Sequence, residues 1–414
     1  MTATEDFIYV HNRQLPYSTF DADNHMYENR DAMTKHVPKQ YEGIVKYVEV
    51  GGRTKFAIRD HITDHIPNPT FARVAVPGGF GQDITKGGDG IHRTAGAAGD
   101  PSGKRVRAMP GVDAFFDPEP RLALMKDMGI DRTLLWPTLV AQIEERLADD
   151  PDAACAVVHA LNSWMHEHWT FSYADAIFAT PVISLAVLDQ ALAELEFVHD
   201  RGAKIFLIRV APVPTWRGRR SFALPEFDPF WERVQELGIV VGMHAGDPGY
   251  VRYTNEWEGK GDAEFKAFAS NAAGGFLALS SEKDALIDAL ASIIGHGLAT
   301  RFPRLKFMPV EYQSSWIRPF VTKLQRTYEE SPVLFDEEPF EIFKRNIWVH
   351  AFHEADPQGL IDLGIPVDHL MFGSDFPHPE GMADPLAYSE VVAGLSLEAQ
   401  AAIMGGSVAG ALGV

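Results

Sequence analysis

Residues 228–244 read DPFWERVQELGIVVGMH. The first eleven set apolar side chains at helical spacing behind an early proline and stop at a glycine; the last six are a short apolar run that closes on a histidine. This is a helix, a tight turn and a buried strand. The unit recurs on both sides. PEPRLALMKDMG precedes RTLLWPT, PDAACAVVHALNSWMHEHWTFSY precedes PVISLAV, and LDQALAELEFVHDRG precedes AKIFLIRV. Further on, SEKDALIDALASIIGHG precedes LKFMPVE, WIRPFVTKLQRTYEE precedes NIWVHAF, and HLMFGSD is the last strand before SLEAQAAIMGGSVAGALGV. With STFDAD as the first strand the count reaches eight, each apolar enough to be buried on both faces. An α/β chain of eight such repeats is expected to form a (β/α)8 TIM barrel.

Two stretches break the rhythm. YEGIVKYVEVGGRTKFAIRD (41–60) alternates apolar and polar residues around Gly51-Gly52 and predicts a β-hairpin. Residues 77–111 are rich in glycine and nearly devoid of large apolar side chains, the composition of a long irregular loop. We therefore expect one domain over 1–414, with 41–115, hairpin plus Gly-rich loop, as an insertion after the first strand.

The remaining composition narrows the function classes. With 37 basic against 57 acidic residues the formal net charge is -20, and no Lys/Arg-rich run is present to follow a phosphate backbone. Nucleic acid is not an expected partner. The single cysteine, Cys155, forbids an intrachain disulfide, and MTATEDFIYV has neither the basic start nor the apolar core of a signal peptide. No apolar run approaches the ~18 residues of a membrane span. A cytoplasmic protein without a membrane segment is expected.

In a barrel of this kind the chemistry sits at the C-terminal ends of the strands. There the sequence places FDADNHMYE (20–28) after the first strand, His244 at the fifth, Glu311 at the sixth, His350 and His353 at the seventh, and Asp375 at the eighth. Strand alternation sends Asp23 and His25 to one side and Asn24 to the other; Asp21 falls on the side of Asp23, as a deeper barrel residue or a supporting partner of His25. Any one histidine, taken singly, reads more readily as a hydrogen-bonded core residue than as a ligand, and Asp375 reads also as a helix cap. Their recurrence at the same end favours convergence. Oxygen and nitrogen donors without thiolates suit a divalent cation such as zinc or manganese.

FDADNHMYE, VGMHAGDPG, GLATRFPRLKFMPVEYQSSWI, HLMFGSDFPHPEG and IMGGSVAGALGV together resemble the amidohydrolase-related proteins, in the branch that includes aminocarboxymuconate-semialdehyde decarboxylase. The resemblance implies a metal-dependent barrel with Asp23, His25, His244 and Asp375 as ligands, zinc first and manganese as the alternative. It also implies a homodimer, with the insertion as a candidate interface. Where the decarboxylases of that branch have a histidine after the sixth strand, this chain has Glu311.

The leading expectation is a hydrolase that directs a cation-activated water at a small apolar or aromatic substrate, with Asp375 as the base and Glu311, His353 or His378 polarising or protonating the substrate. Nonoxidative decarboxylation or hydration of an aromatic or unsaturated carboxylate shares every ligand; Arg30, Arg217 and Arg252 are candidate clamps for it. A noncatalytic metal-binding barrel is the third reading. Trp216, Phe222, Tyr250, Tyr253 and Trp257 are candidate lining residues on long loops, His296 reads as structural or supporting, and Glu28 reads either as a supporting residue or as a first-turn surface residue.

Overall fold

The computed structural model describes residues 8, 14–63, 66, 68–79, 108–246, 249, 256–257, 259, 282–351 and 356–414. His353, Tyr250, Arg252, Tyr253 and most of the Gly-rich stretch lie outside the described residues.

The first strand, β1 (Phe20–Asp21), is followed by β2 (Val45–Val50), β3 (Arg53–Ile58) and β4 (His61–Thr63), a small antiparallel sheet of its own. Its first turn is Gly51-Gly52, with φ of 59° and 75°, the doubly left-handed pair that matches strand twist in a two-residue hairpin. β5 (Arg73–Ala75) and β6 (Ala108–Pro110) lie antiparallel, so the last part of the expected loop is a strand paired with residues just before the Gly-rich segment.

After that every αβ unit contributes a short parallel strand: β7 (Arg132–Leu135), β8 (Ile177–Ala179) and β9 (Ile205–Leu207). A hairpin of β10 (Val213–Thr215) and β11 (Gly218–Arg220) intervenes before β12 (Val240–His244), β13 (Phe307–Val310), β14 (Val349–His350) and β15 (Leu370–Met371). β1 pairs with β7 and β7 with β8; a parallel bridge at Val182 and Leu207 leads to β9, which pairs with β12, and β12 with β13. A bridge at Phe307 and Ile347 leads on to β14 and β15, and Asn24 bridges Phe376 just beyond β15, back beside β1. The third strand lies earlier than predicted, at 177–179 rather than in PVISLAV. Pro181 has no N–H to extend the ladder, and its carbonyl accepts from Leu207 instead.

The helices obey their sequence signals. Asp228–Leu237 begins with Pro229 in its first turn, buries Phe230, Trp231 and Val234 on one face, and stops at Gly238, whose φ is 66°. Ile317–Glu330 buries Ile317, Phe320, Val321 and Leu324, one stripe along one side. Among the described residues no helix is long and apolar enough to cross a membrane.

Strand alternation divides the core in two. Phe20, Ala22, Leu134, Trp136, Phe178, Ile205, Val240, Met308, Val310 and Met371 form an inner cluster that Val408, Ala411 and Leu412 of the last helix join. Val241, Met243, Phe307, Leu370 and Phe372 face outward into the helix layer. Trp136 fills the upper interior, and Gly242 makes room for it: a Cβ there would lie 2.5 Å from the indole Cη2. Gly242→Ala is therefore expected to destabilise the fold by about 1–3 kcal/mol through overpacking. Denaturant unfolding measures this, and an unchanged midpoint would contradict it.

Candidate metal centre

Because Val240 faces inward, so does His244 four positions on, and it emerges directly above Trp136, ring centres 5.1 Å apart. The first strand reaches the same point by a different route. Simple alternation would carry Asp21 to the side of Asp23, but the chain bends at Ala22, whose carbonyl accepts from Trp136 Nε1 at 2.9 Å. Beyond the bend Asp23 and His25 turn into the mouth, while Asp21 and Asn24 share the opposite side. Asp21 is thus not a partner of His25. It accepts from the amides of Asp23 (3.0 Å) and Ser374 (2.8 Å), from Asn24 Nδ2 (2.8 Å) and from Ser374 Oγ (2.5 Å). Those bonds tie the end of β1 to the segment carrying Asp375.

The mouth gathers three overlapping sets of donors, each with its atoms within 4.8 Å of one another: Asp23, His25 and His244; His25, Asp375 and His378; Glu311, Asp375 and Glu380. His244 Nε2 lies 3.3 Å from Asp23 Oδ1, and His25 Nε2 lies 3.5 Å from that oxygen and 3.4 Å from Asp375 Oδ1. His244 Nδ1 is 2.8 Å from the Ala245 carbonyl, which can only accept, so Nδ1 carries a proton, and Nε2 faces Asp23. His25 Nδ1 faces Thr138 Oγ1 at 3.5 Å; that hydroxyl donates to the Met26 carbonyl, so here too the proton belongs on Nδ1.

Asp23 Oδ2, His25 Nε2 and Asp375 Oδ2 are buried without a hydrogen-bond partner. Burial without compensation costs several kcal/mol per ionised group, a penalty that a divalent cation among nitrogen and oxygen donors would remove. On this ground the residues present fit a metal ion.

The electrostatics agree. Burial pushes the His25 ring down to about 4, so it is neutral at ordinary pH, and burial lowers His350 as well. Burial alone would raise Asp23, but its contacts with His244 and His25 hold it below the usual carboxylate range. Asp375 is pushed well above that range by burial and then by Glu311, Asp23 and Glu380. His378 Nδ1 lies 2.8 Å from Asp375 Oδ1, and its ring packs against His25 with centres 3.9 Å apart. Glu311 and Asp375 have φ of 66° and 57°, the left-handed region that costs a non-glycine residue about 1 kcal/mol or more. Glu311 follows directly on β13, and Asp375 comes after Phe372, Gly373 and Ser374 beyond β15; in each the twist re-aims a carboxylate.

Of the residues picked out by sequence, Asp23, His25, His244, Asp375, Glu311 and His378 come together, with Glu311 Oε2 3.5 Å from His244 Nδ1. His296 is apart, contacting Ser221 Oγ at 3.1 Å on the outside. His350 accepts from the Glu311 amide on Nδ1 and faces the Gly373 carbonyl with Nε2, so both nitrogens are occupied in holding its neighbours. Arg30 bonds Thr54 and lies over Tyr47, and Arg217 is 84% exposed beside Glu226; neither serves as a clamp at the centre. Phe222 is a core residue whose carbonyl accepts from Trp231, while Trp216 and Trp257 are exposed. Glu380 was not foreseen. It returns because Gly381 lets the loop fold back against the carbonyls of Ser374 and Asp375, where a Cβ would sit 2.6 Å from each oxygen.

Glu28 is buried, and its Oε1 accepts from the amides of Thr138 and Leu139, each at 2.8 Å, fixing the loop that faces His25. Burial raises its carboxyl to about 7 from an ordinary 4.5. A carboxyl raised on folding gives its full stability below the unfolded value and loses it as pH climbs through the folded one. Glu28→Gln keeps the acceptor and removes the titration, so its advantage over wild type should grow between those two pH values, by up to about 3 kcal/mol. Thermal unfolding from about pH 4 to about pH 8 measures it, and a difference that does not change with pH would contradict it.

Comparison with known proteins follows the same lines. The amidohydrolase family model matches residues 64–407. Among solved structures, an amidohydrolase from Mycobacterium avium subsp. paratuberculosis K-10 is 33% identical with a TM-score of 0.85, over 96% of this chain and 100% of that one. A dihydroxybenzoic acid decarboxylase from Polaromonas sp. JS666, with bound manganese and 2-nitroresorcinol, is 17% identical with a TM-score of 0.54, over 73% and 87%. 5-Carboxyvanillate decarboxylase from Sphingomonas paucimobilis is 15% identical with a TM-score of 0.59, over 96% and 99%. At such identities the likeness to the two decarboxylases is one of fold. No curated protein matches the chain.

Proposed function

Since the chain belongs to the amidohydrolase family, we propose that it is a metal-dependent hydrolase acting on a small, apolar or aromatic substrate. The observation that carries this reading is the orphaned set Asp23 Oδ2, His25 Nε2 and Asp375 Oδ2 at one point, with Asp375 joined to His378. Asp23, His25, His244 and Asp375 would hold the cation, zinc or manganese. When bound it supplies Lewis acidity and positive charge, which lower the pKa of water. Asp375 takes the proton of the attacking water and returns it to the leaving group, while His378 Nδ1 holds the carboxyl in orientation. Glu311 and Glu380 flank Asp375 and are placed to hydrogen-bond substrate N–H or O–H groups.

Arg209 and Arg219 both bind Glu145, and Arg121 is turned away from the mouth. Decarboxylation is the second reading, favoured by the raised Asp375, which as an acid would protonate carbon. We further read the cycle of parallel neighbours as a closed eight-stranded barrel over 1–414, with 41–115 as an excursion that also forms the interface of a homodimer.

The test is direct. Metal-loaded protein is incubated with lactones, esters and amides in parallel with phenolic and unsaturated carboxylates. Hydrolysis is expected; carbon dioxide release without hydrolysis would replace it with the second reading. Turnover of neither class would leave a metal-binding barrel without either activity.

A further inference from the structure

Behind the metal-facing side of β1 lies a guanidinium that, among the described residues, hydrogen-bonds to no carboxylate. Arg121, on the helix Pro118–Met128, is fully buried. Its Nε donates to the Ala114 carbonyl at 2.6 Å, Nη2 to the His25 carbonyl at 2.7 Å, and Nη1 to Asn24 Oδ1. The rings of Phe376 and Trp169 lie 5.4 Å and 5.9 Å from Cζ. Burying a cation costs several kcal/mol, and an apolar side chain of similar volume would often fill such a space at least as well. What an apolar side chain lacks is the planar fork, which here grips two consecutive residues at the end of β1.

The grip passes onward. Asn24 Nδ2 donates to Asp21 Oδ2, and Asp21 accepts from both the amide and the hydroxyl of Ser374, the residue before Asp375. Ser374 Oγ in turn accepts from the Phe376 amide at 3.2 Å. On the far side of the same backbone, Asp375 N donates to the Asp23 carbonyl at 2.7 Å and His25 N to the Phe376 carbonyl at 2.7 Å. One hydrogen-bonded chain, Arg121–Asn24–Asp21–Ser374, therefore straps together the two segments that supply Asp23, His25 and Asp375.

We propose that Arg121 is a positioning residue for the cation: through Asn24 and Asp21 it holds the Asp23/His25 and Asp375 segments at the separation the metal requires. The inference rests on the metal reading of the centre. Supporting groups of this kind commonly change metal affinity by about 10–100-fold.

Three variants separate positioning from packing. Arg121→Met keeps the volume and loses the fork; Asn24→Ala breaks the chain one link further on and covers the case in which Arg121→Met does not fold. Asn346→Ala removes a buried amide that donates to the Pro303 and Leu305 carbonyls at the opposite end of the strands, as a control for lost stability alone. Manganese and zinc dissociation constants are measured by chelator competition. Amide hydrogen exchange is followed over 20–26 and 372–376 in metal-free protein. For Arg121→Met and Asn24→Ala we expect at least a tenfold weaker cation and at least tenfold faster exchange at His25 and Asp375, with Asn346→Ala like wild type in both. Affinities within about twofold of wild type, or equal losses in Asn346→Ala, would overturn the proposal. A wild type that binds no cation would remove the metal reading; the exchange measurement would still decide whether the strap exists.

Discussion

Asp23→Ala is expected to fold and to lose the cation. Asp23 Oδ1 is the oxygen that both His244 Nε2 and His25 Nε2 face, at 3.3 Å and 3.5 Å, so its removal takes the central anionic donor from between the two imidazoles. Changes to residues that merely support a ligand cost up to about 100-fold in affinity, and loss of the ligand itself should exceed that. The metal-free protein should also suffer. A carboxyl held below its ordinary range stabilises the fold above its unfolded pKa and ceases to do so as pH falls, so the alanine variant should melt below wild type at neutral pH and approach it in acid. Elemental analysis after reloading and dialysis provides the decision: metal content equal to wild type would remove Asp23 from the ligand set.

Asp375→Asn should separate binding from chemistry. The amide presents an oxygen to the same space but cannot take up a proton, so turnover should fall by about 10²–10⁴-fold, the usual contribution of a positioned base, while KM moves far less. The stability effect without metal has the opposite sign to that of Asp23. Burial together with Glu311, Asp23 and Glu380 raises Asp375, so its ionisation costs stability as pH rises; asparagine removes that cost, and metal-free Asp375→Asn should melt above wild type at neutral pH. Retention of full turnover would eliminate Asp375 as the base. Opposite shifts in melting from two carboxylates on adjoining segments would be hard to produce by packing changes alone.

Much of the scaffold was legible because helix and strand periods are local. Gly129 and Gly238 end their helices where the sequence places them, with φ of 78° and 66°, and Val240 fixes the inward direction of His244. The rest was decided by contacts distant in sequence. Asp21 was placed on the wrong side because alternation holds only for an unbroken strand, and the bend at Ala22 is stabilised by an indole 114 residues away. Glu380 enters through a loop reversal around Gly381, which carries no periodic signal. Arg121 resembles any other charge on an amphipathic helix until the segment it grips is folded beside it. The third strand slipped because its predicted residues include a proline at the point where pairing changes.

The bend at Ala22 also constrains how the chain can change in length. Loops elsewhere can gain or lose residues at a cost that grows slowly with their span. Between Ala22 and His25 a single insertion or deletion would exchange the two sides, presenting Asn24 to the mouth and turning the carboxylate and imidazole toward the guanidinium behind. Related chains can therefore differ in the residues that fill these positions far more readily than in the number of positions. Grafting this centre onto another barrel would require Phe20 to Glu28 to be transferred intact, together with a tryptophan at the interior position of Trp136 to hold the bend.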